Sequence, residues 1–136
     1  MQIREFTIVD YDAVIHLWEK AGIQLSKSDS LDKLQHKLQR DAELFIVAEE
    51  SNQIIGVVMG SYDGRRGWVH HLAVDPDFQG RKIGSMLLEN FESRLRAIGC
   101  EKVNLLIEMD NSNIQKFYET LGYNRDELIF MEKWIV

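Results

Sequence analysis

The chain has 136 residues, 45% apolar and 28% charged, enough to bury a core and too apolar to stay disordered. With 16 Lys and Arg against 22 Asp and Glu, the net charge is −6. That argues against a general nucleic-acid binder, which needs a basic footprint, and is compatible with a cationic partner. The only cysteine is Cys100, so no internal disulfide can form, and no metal-ligand spacing is present. Met1-Gln2-Ile3-Arg4-Glu5 has no cationic lead before an apolar run, and no run reaches membrane-spanning length. A cytoplasmic protein without membrane contact is expected.

Gln2 to Ile8 alternates and predicts a short strand. Asp10 suits a helix N-cap ahead of Val14, Leu17, Trp18 and Ala21, which share a face that ends at Gly22. Ser28-Asp29-Ser30 precedes a second helix carrying Leu31, Leu34 and Leu38. Leu44–Ala48, Ile54–Tyr62 and Trp68–Val74 read as three successive strands, joined by turns at Ser51-Asn52 and Asp63-Gly64. From Arg81 the apolar positions take a helical period, through Ile83, Leu87, Phe91 and Leu95, until Gly99. Lys102–Glu108 predicts a strand, Asp110 or Asn111 caps a helix carrying Ile114, Phe117, Tyr118 and Leu121, and Leu128–Ile135 predicts a closing strand. The order is β-α-α-β-β-β-α-β-α-β-(β). No linker or repeat interrupts it, so residues 1–136 are expected as a single α/β domain on a mixed sheet with an antiparallel meander. The strand from Trp68, the helix from Arg81 and the strand from Lys102 make a crossover unit.

The most informative stretch is Val74-Asp75-Pro76-Asp77-Phe78-Gln79-Gly80-Arg81-Lys82-Ile83-Gly84-Ser85, which joins a strand to the long helix. The start of a helix presents unpaired N–H groups and favours an anion. Arg81 and Lys82 stand at the end that the helix dipole makes unfavourable for cations, and a bound phosphate would reverse the sign. The spacing alone fits solvated cations on an exposed turn equally well. The loop is neither a Walker A loop nor a dinucleotide fingerprint, because Gly80 and Gly84 match neither pattern.

Leu72-Ala73-Val74-Asp75-Pro76-Asp77-Phe78-Gln79-Gly80-Arg81-Lys82-Ile83-Gly84 resembles the acetyl-CoA signature of the GCN5-related N-acetyltransferase (GNAT) superfamily. Tyr118-Glu119-Thr120-Leu121-Gly122-Tyr123, preceded by Asn111, resembles the superfamily's C-terminal motif. The flavour is that of the bacterial ribosomal-protein alanine acetyltransferase group, and the element order matches over nearly the whole chain. The resemblance implies a GNAT-like fold and acetyl-CoA as acetyl donor. It implies that Leu72, Ala73 and Val74 line the pantetheine arm, Leu72 and Val74 through backbone bonds. It implies that the N–H groups of Gln79, Gly80, Arg81, Lys82, Ile83, Gly84 and Ser85 hold the pyrophosphate, that Asn111 contacts the pantetheine region, and that Tyr118 stands beside the thioester sulfur. Lys82 departs from the pattern, which has glycine there; its side chain is a candidate charge partner.

Acetyl transfer to an amine needs a deprotonated nitrogen, a stabilised oxyanion and a protonated leaving thiolate. Tyr118 suits the last task, although it also continues the apolar stripe of Ile114, Phe117 and Leu121. In the alanine-acetyltransferase relatives a Glu acts as base, and here that place holds Leu106; Glu108, two residues on, is expected on the same strand face as a candidate to substitute through water. His70 is the preferred base, since imidazole titrates near neutrality and the serotonin acetyltransferase branch has a functional His at the matching place. On a regular strand Trp68, His70, Leu72 and Val74 share a face and His71 points the other way, so the adjacent pair is not expected to share a metal. Trp18, Tyr62, Asp63 and Glu127 are candidates for holding the acceptor. The acceptor is expected to be a protein N-terminus or a small-molecule amine, with an acyl-CoA-binding module as the alternative. Cys100 lies away from both motifs, which favours direct transfer. Oligomeric state is open; a dimer through a C-terminal edge strand is one arrangement.

Overall fold

Runs rich in Ile, Val and Phe, cut by Ser-Asn and Asp-Gly, form a meander because β-branched side chains fit a pleated surface and those dipeptides fit tight turns. The computed structural model describes residues 1–109 and 111–136, apart from the Ser112 side chain; Asp110, one of the two expected caps of the last helix, lies outside the described residues. Two compact units result, Met1–Leu106 and Ile107–Val136.

The first unit runs β1 (Gln2–Glu5), α1 (Tyr11–Lys20), α2 (Leu31–Asp41), β2 (Phe45–Glu50), β3 (Gln53–Tyr62), β4 (Gly67–Val74), α3 (Ile83–Ala97) and β5 (Val103–Leu105). Short 3₁₀ turns at Ile8–Asp10, Lys27–Asp29, Ala42–Leu44 and Pro76–Phe78 connect them. The sheet order is β1-β2-β3-β4-β5; the first three pairings are antiparallel and β4–β5 is parallel. This is the expected mixed sheet with meander and crossover. Ser30 caps α2 by accepting from Lys33 N–H at 3.3 Å. Asp10 does not cap α1: its carboxylate turns back to Thr7 N–H (2.9 Å) and to the Arg4 guanidinium (2.8 and 3.0 Å).

The sheet is covered on both faces. Against one, Val14, Leu17 and Trp18 of α1 and Leu34 of α2 pack on Phe45, Val47, Val57, Met59 and Ala73. On the other, Ile83, Leu87, Phe91 and Leu95 of α3 are buried and approach the sheet over glycines. A Cβ at Gly56 would stand 2.9 Å from both Ile83 Cγ2 and Leu87 Cδ1, and one at Gly60 would stand 2.2 Å from Phe91 Cε1 and 2.8 Å from the Trp68 carbonyl. Those glycines set the depth at which α3 sits, and so the place where its first turn emerges beside β4.

In the second unit α4 (Ser112–Thr120) ends at Gly122, φ +94°, a left-handed stop. Two expectations change. The strand predicted over Lys102–Glu108 ends at Leu105, so Glu108 shares no strand face with Leu106. The strand predicted over Leu128–Ile135 is not formed among the described residues; Leu128, Ile129, Met131 and Ile135 are exposed there. Alternation reports the capacity to be a strand, whereas a strand needs a ladder partner.

Gly60→Ala is expected to destabilise the protein by about 3 kcal/mol, because neither the Phe91 ring nor the Trp68 backbone can yield without moving α3; a urea unfolding midpoint unchanged from the parent would refute this role for Gly60.

Candidate functional site

The turn from β4 into α3 is fastened before it reaches the helix. Asp75, almost fully buried, bonds Ile55 O through its N–H (2.8 Å), and its carboxylate accepts from Asp77 N–H (2.9 Å) and Lys20 Nζ (3.0 Å). Burial opposes its ionisation, but the Asp77 N–H and the Lys20 ammonium hold its pKa below the usual carboxylate range. Pro76 starts the 3₁₀ turn, where its missing N–H costs nothing. Gly80 then takes φ +84°.

Lys82, the N-cap of α3, has φ 60° and ψ 26°. That left-handed conformation explains the glycine of the superfamily pattern: only glycine adopts it without a Cβ penalty. Lys82 offers no capping side chain. The N–H groups of Ile83, Gly84 and Ser85, the first three helical residues, therefore find no acceptor among the described residues. Three convergent donors at the positive end of a 15-residue helix form a cradle for an anion. Arg81 does not contribute a free charge as the loop's composition suggests. Its guanidinium is engaged bidentately by Glu50 of β2, at 2.7 and 2.8 Å, and lies over Phe78, 5.7 Å from the ring centroid. The cation without an ion-pair partner among the described residues of this loop is Lys82.

Beside the cradle, β4 loses one of its neighbours. It pairs with β5 only over Gly67–Val69, opposite Val103–Leu105. From His70 through Val74 that edge of β4 is unpaired among the described residues, so the backbone of Leu72, Ala73 and Val74 can bond a ligand. Pairing with β5 stops where β4 also bulges against β3: Met59 pairs with His71 and Gly60 with Val69, leaving His70 as the extra residue.

The bulge corrects the face assignment made from strict alternation. Leu72 and Val74 pair with Val58 and Gly56 on the α3 face, whereas His71 and Ala73 pair with Met59 and Val57 on the α1 face. His70 joins His71 rather than opposing it. Its Nε2 is 2.7 Å from Ser61 Oγ, on that same side. His71 Nε2 is 3.1 Å from Asp29 Oδ1, and the Trp18 ring meets its imidazole edge-on at 4.8 Å. Asp29 is buried and also accepts from Ser26 N–H at 3.0 Å. Burial works against its charge, but the bonds from His71 and Ser26 outweigh it and keep the pKa low. For His70, desolvation of the ring lowers the pKa, and the charges of Lys37 and His71 lower it further. Near pH 7 the ring is neutral. Lys37 is paired with Asp41, whose other oxygen accepts from Tyr62 N–H at 3.0 Å.

The remaining candidates divide. Tyr118 is buried in α4 and meets Tyr123 edge-on at 5.5 Å; burial pushes its phenol up to about 12, so it is a proton donor at neutral pH and not a base. Asn111 is the N-cap of α4, with no side-chain cap bond. Trp18 is fully buried and presents no face to an acceptor. Asp63 is spent on its own turn, accepting from Arg65 and Arg66 N–H at 2.8 and 2.7 Å, and the Tyr62 hydroxyl donates to Gly64 O. Cys100 is buried, its Sγ donating to Lys102 O at 3.3 Å, as befits a structural thiol. A cavity of about 350 Å3 between α1 and the β2–β3 turn has its Lys20 and Asp75 already paired to each other and none of the cradle's free N–H groups. Sequence reasoning missed Asp29 and the partnership of the two histidines, since a bulge has no local signature here.

The sequence pattern of the Acetyltransferase (GNAT) family matches residues 8–123. An acetyltransferase of Pectobacterium atrosepticum is 40% identical over 136 residues, all of this chain and 96% of the relative, and one of Yersinia enterocolitica is 40% identical with the same coverage. Among solved structures, the PaiA N-acetyltransferase of Thermoplasma acidophilum in complex with coenzyme A superposes with a TM-score of 0.85 at 21% identity, over 94% of this chain and 92% of that one. The ribosomal-protein-S18-alanine N-acetyltransferase of Escherichia coli gives 0.77 at 20%, over 93% and 79%. The turn with a left-handed residue, the donor-rich start of α3 and the interrupted edge of β4 thus lie in a chain that belongs to the GNAT acetyltransferase family.

Proposed function

We propose that the protein moves an acetyl group from acetyl-CoA directly to a primary amine, a protein N-terminus or a small molecule, using one domain that takes in both units. The observation that carries this reading is the row of undonated N–H groups at Ile83, Gly84 and Ser85 behind a left-handed Lys82, a cradle matched to a pyrophosphate. The family pattern spans residues 8–123 and so draws on both units. The amine class is supported by the names of structural neighbours: one acts on a ribosomal-protein alanine, another on glucosamine-6-phosphate.

In this reading Gln79 to Ser85 bind the pyrophosphate, and Lys82 adds a charge that Arg81, held by Glu50, does not supply. The free edge at Leu72 to Val74 aligns the pantetheine arm, and the family motif assigns Asn111 to the same region of the cofactor. His70 accepts a proton from the acceptor nitrogen: neutral at pH 7, it keeps a lone pair on Nδ1 when Nε2–H donates to Ser61 Oγ. Tyr118, its pKa raised, gives a proton to the departing thiolate. No residue forms a covalent acetyl intermediate.

The test mixes the protein, acetyl-CoA and a panel of amines and follows free thiol; absence of acetyl-CoA binding by calorimetry overturns the reading, and binding without thiol release for any amine replaces transfer by mere binding. Tyr118→Phe is expected to lower kcat by about 100-fold or more while acetyl-CoA affinity stays within a few-fold, and an unchanged kcat removes Tyr118 from the chemistry. Lys82→Gly is expected to stabilise the free protein by about 1 kcal/mol in urea unfolding, by relieving the left-handed strain, and to weaken acetyl-CoA binding at low salt if the Lys82 charge meets the pyrophosphate.

A further inference from the structure

An ammonium acceptor has two protons to lose, one before it attacks and one after the C–N bond has formed. The bulge of β4 places two imidazoles on one face, and their surroundings differ. His71 Nε2 faces a buried carboxylate, Asp29 Oδ1, at 3.1 Å. A carboxylate only accepts, so Nε2 carries the hydrogen and Nδ1 keeps the lone pair. His70 faces Ser61 and feels the Lys37 charge. The groups around the pair are Asp29 on the Lys27–Asp29 turn, Tyr11 of α1, whose hydroxyl donates to Asp29 O, Lys37 and Asp41 of α2, and Ser61 of β3.

We propose that Asp29 and His71 form a dyad that takes the first proton, and that His70 takes the second. Resting on the acetyltransfer reading, the sequence balances as follows. His71 Nδ1 removes a proton from R–NH3⁺, and the imidazolium is held beside the Asp29 carboxylate. The freed nitrogen pair attacks the thioester carbonyl carbon, and the C=O π pair moves to oxygen. That pair returns, the C–S bond breaks, and the thiolate is protonated. The nitrogen, now positive and far more acidic, gives its second proton to His70, for which a weak base suffices. One proton resets the thiolate's donor and one leaves to solvent, so the net products are amide, free thiol and one proton. His71 is the proton acceptor and Asp29 its positioning residue. Of the two imidazoles, His71 is the one whose Nε2 is fixed on a carboxylate, at 3.1 Å, which leaves Nδ1 as its accepting atom.

The experiment measures thiol release from acetyl-CoA with an alkyl amine that the parent chain turns over, from pH 6 to 10. His71→Gln is expected to lose about 100-fold in kcat/KM at pH 7 and to recover towards the parent as pH approaches the amine's own ionisation. His70→Gln is expected to stay deficient throughout. Asp29→Asn is expected to lose about 10-fold in kcat/KM at pH 7 and to recover as pH approaches the amine's own ionisation, because the His71 ring is no longer fixed by an acceptor at Nε2. Acetyl-CoA calorimetry and urea midpoints report folding of each variant; if His71→Gln does not fold, the Asp29→Asn profile decides. A His71→Gln deficit that does not vary with pH, or an Asp29→Asn profile that overlays the parent, overturns the dyad alone. A parent chain that releases no thiol with any amine overturns the acetyltransfer reading and the dyad with it.

Discussion

Everything that makes this sheet more than a scaffold follows from the end of hydrogen bonding along β4. A strand in mid-sheet normally satisfies its backbone on both sides, because an unpaired buried N–H or C=O is costly. Here β4 keeps its antiparallel partner over its whole length but its parallel partner only through Val69. The same point carries the bulge at His70. The free edge from His70 to Val74 begins there, and the extra residue turns two histidines to one face. The free edge leaves backbone groups open to a ligand, and the two imidazoles lie on the α1 face of the same strand.

The second constraint is the turn that follows. Asp75 is buried and anchored to Ile55, Asp77 and Lys20, so the chain enters α3 in a fixed direction. Glycines at 56 and 60 let α3 sink onto the sheet until Phe91 lies where a Cβ would otherwise be. The depth of the helix and the anchoring of the turn together place the first-turn N–H groups beside the open edge. Lys82 accepts a left-handed backbone to make that entry. A left-handed non-glycine carries a conformational cost that the anchored turn on one side and the packed helix on the other hold in place.

Charge is arranged locally rather than globally. The chain is acidic overall, −6, yet the cradle is an electropositive spot made mainly of backbone dipoles and one lysine, since Glu50 already neutralises Arg81. On the other face, the buried carboxylates Asp29 and Asp41 each serve a named partner, His71 and Lys37. The bonds from His71 and Ser26 keep the pKa of Asp29 low against its burial.

The sequence by itself determined the element order through α4, the meander and the crossover, because these depend on local periodicity and turn residues written within a dozen residues of one another; the helix start after Gln79 was equally legible, but its spacing fitted solvated cations as well as an anion, and the pyrophosphate reading came from the family resemblance. It also singled out Tyr118, Asn111 and His70 through motifs. It did not disclose that His71 shares the face of His70, that Asp29 waits opposite, or that Glu50 claims Arg81. Each of these joins residues far apart in the chain, and the two histidines turn on an inserted residue whose effect exists only once β4 is laid against β3. The closing strand over Leu128–Ile135 was written as a pattern and is not formed among the described residues, because pattern supplies the side chains of a strand and only tertiary pairing supplies its hydrogen bonds.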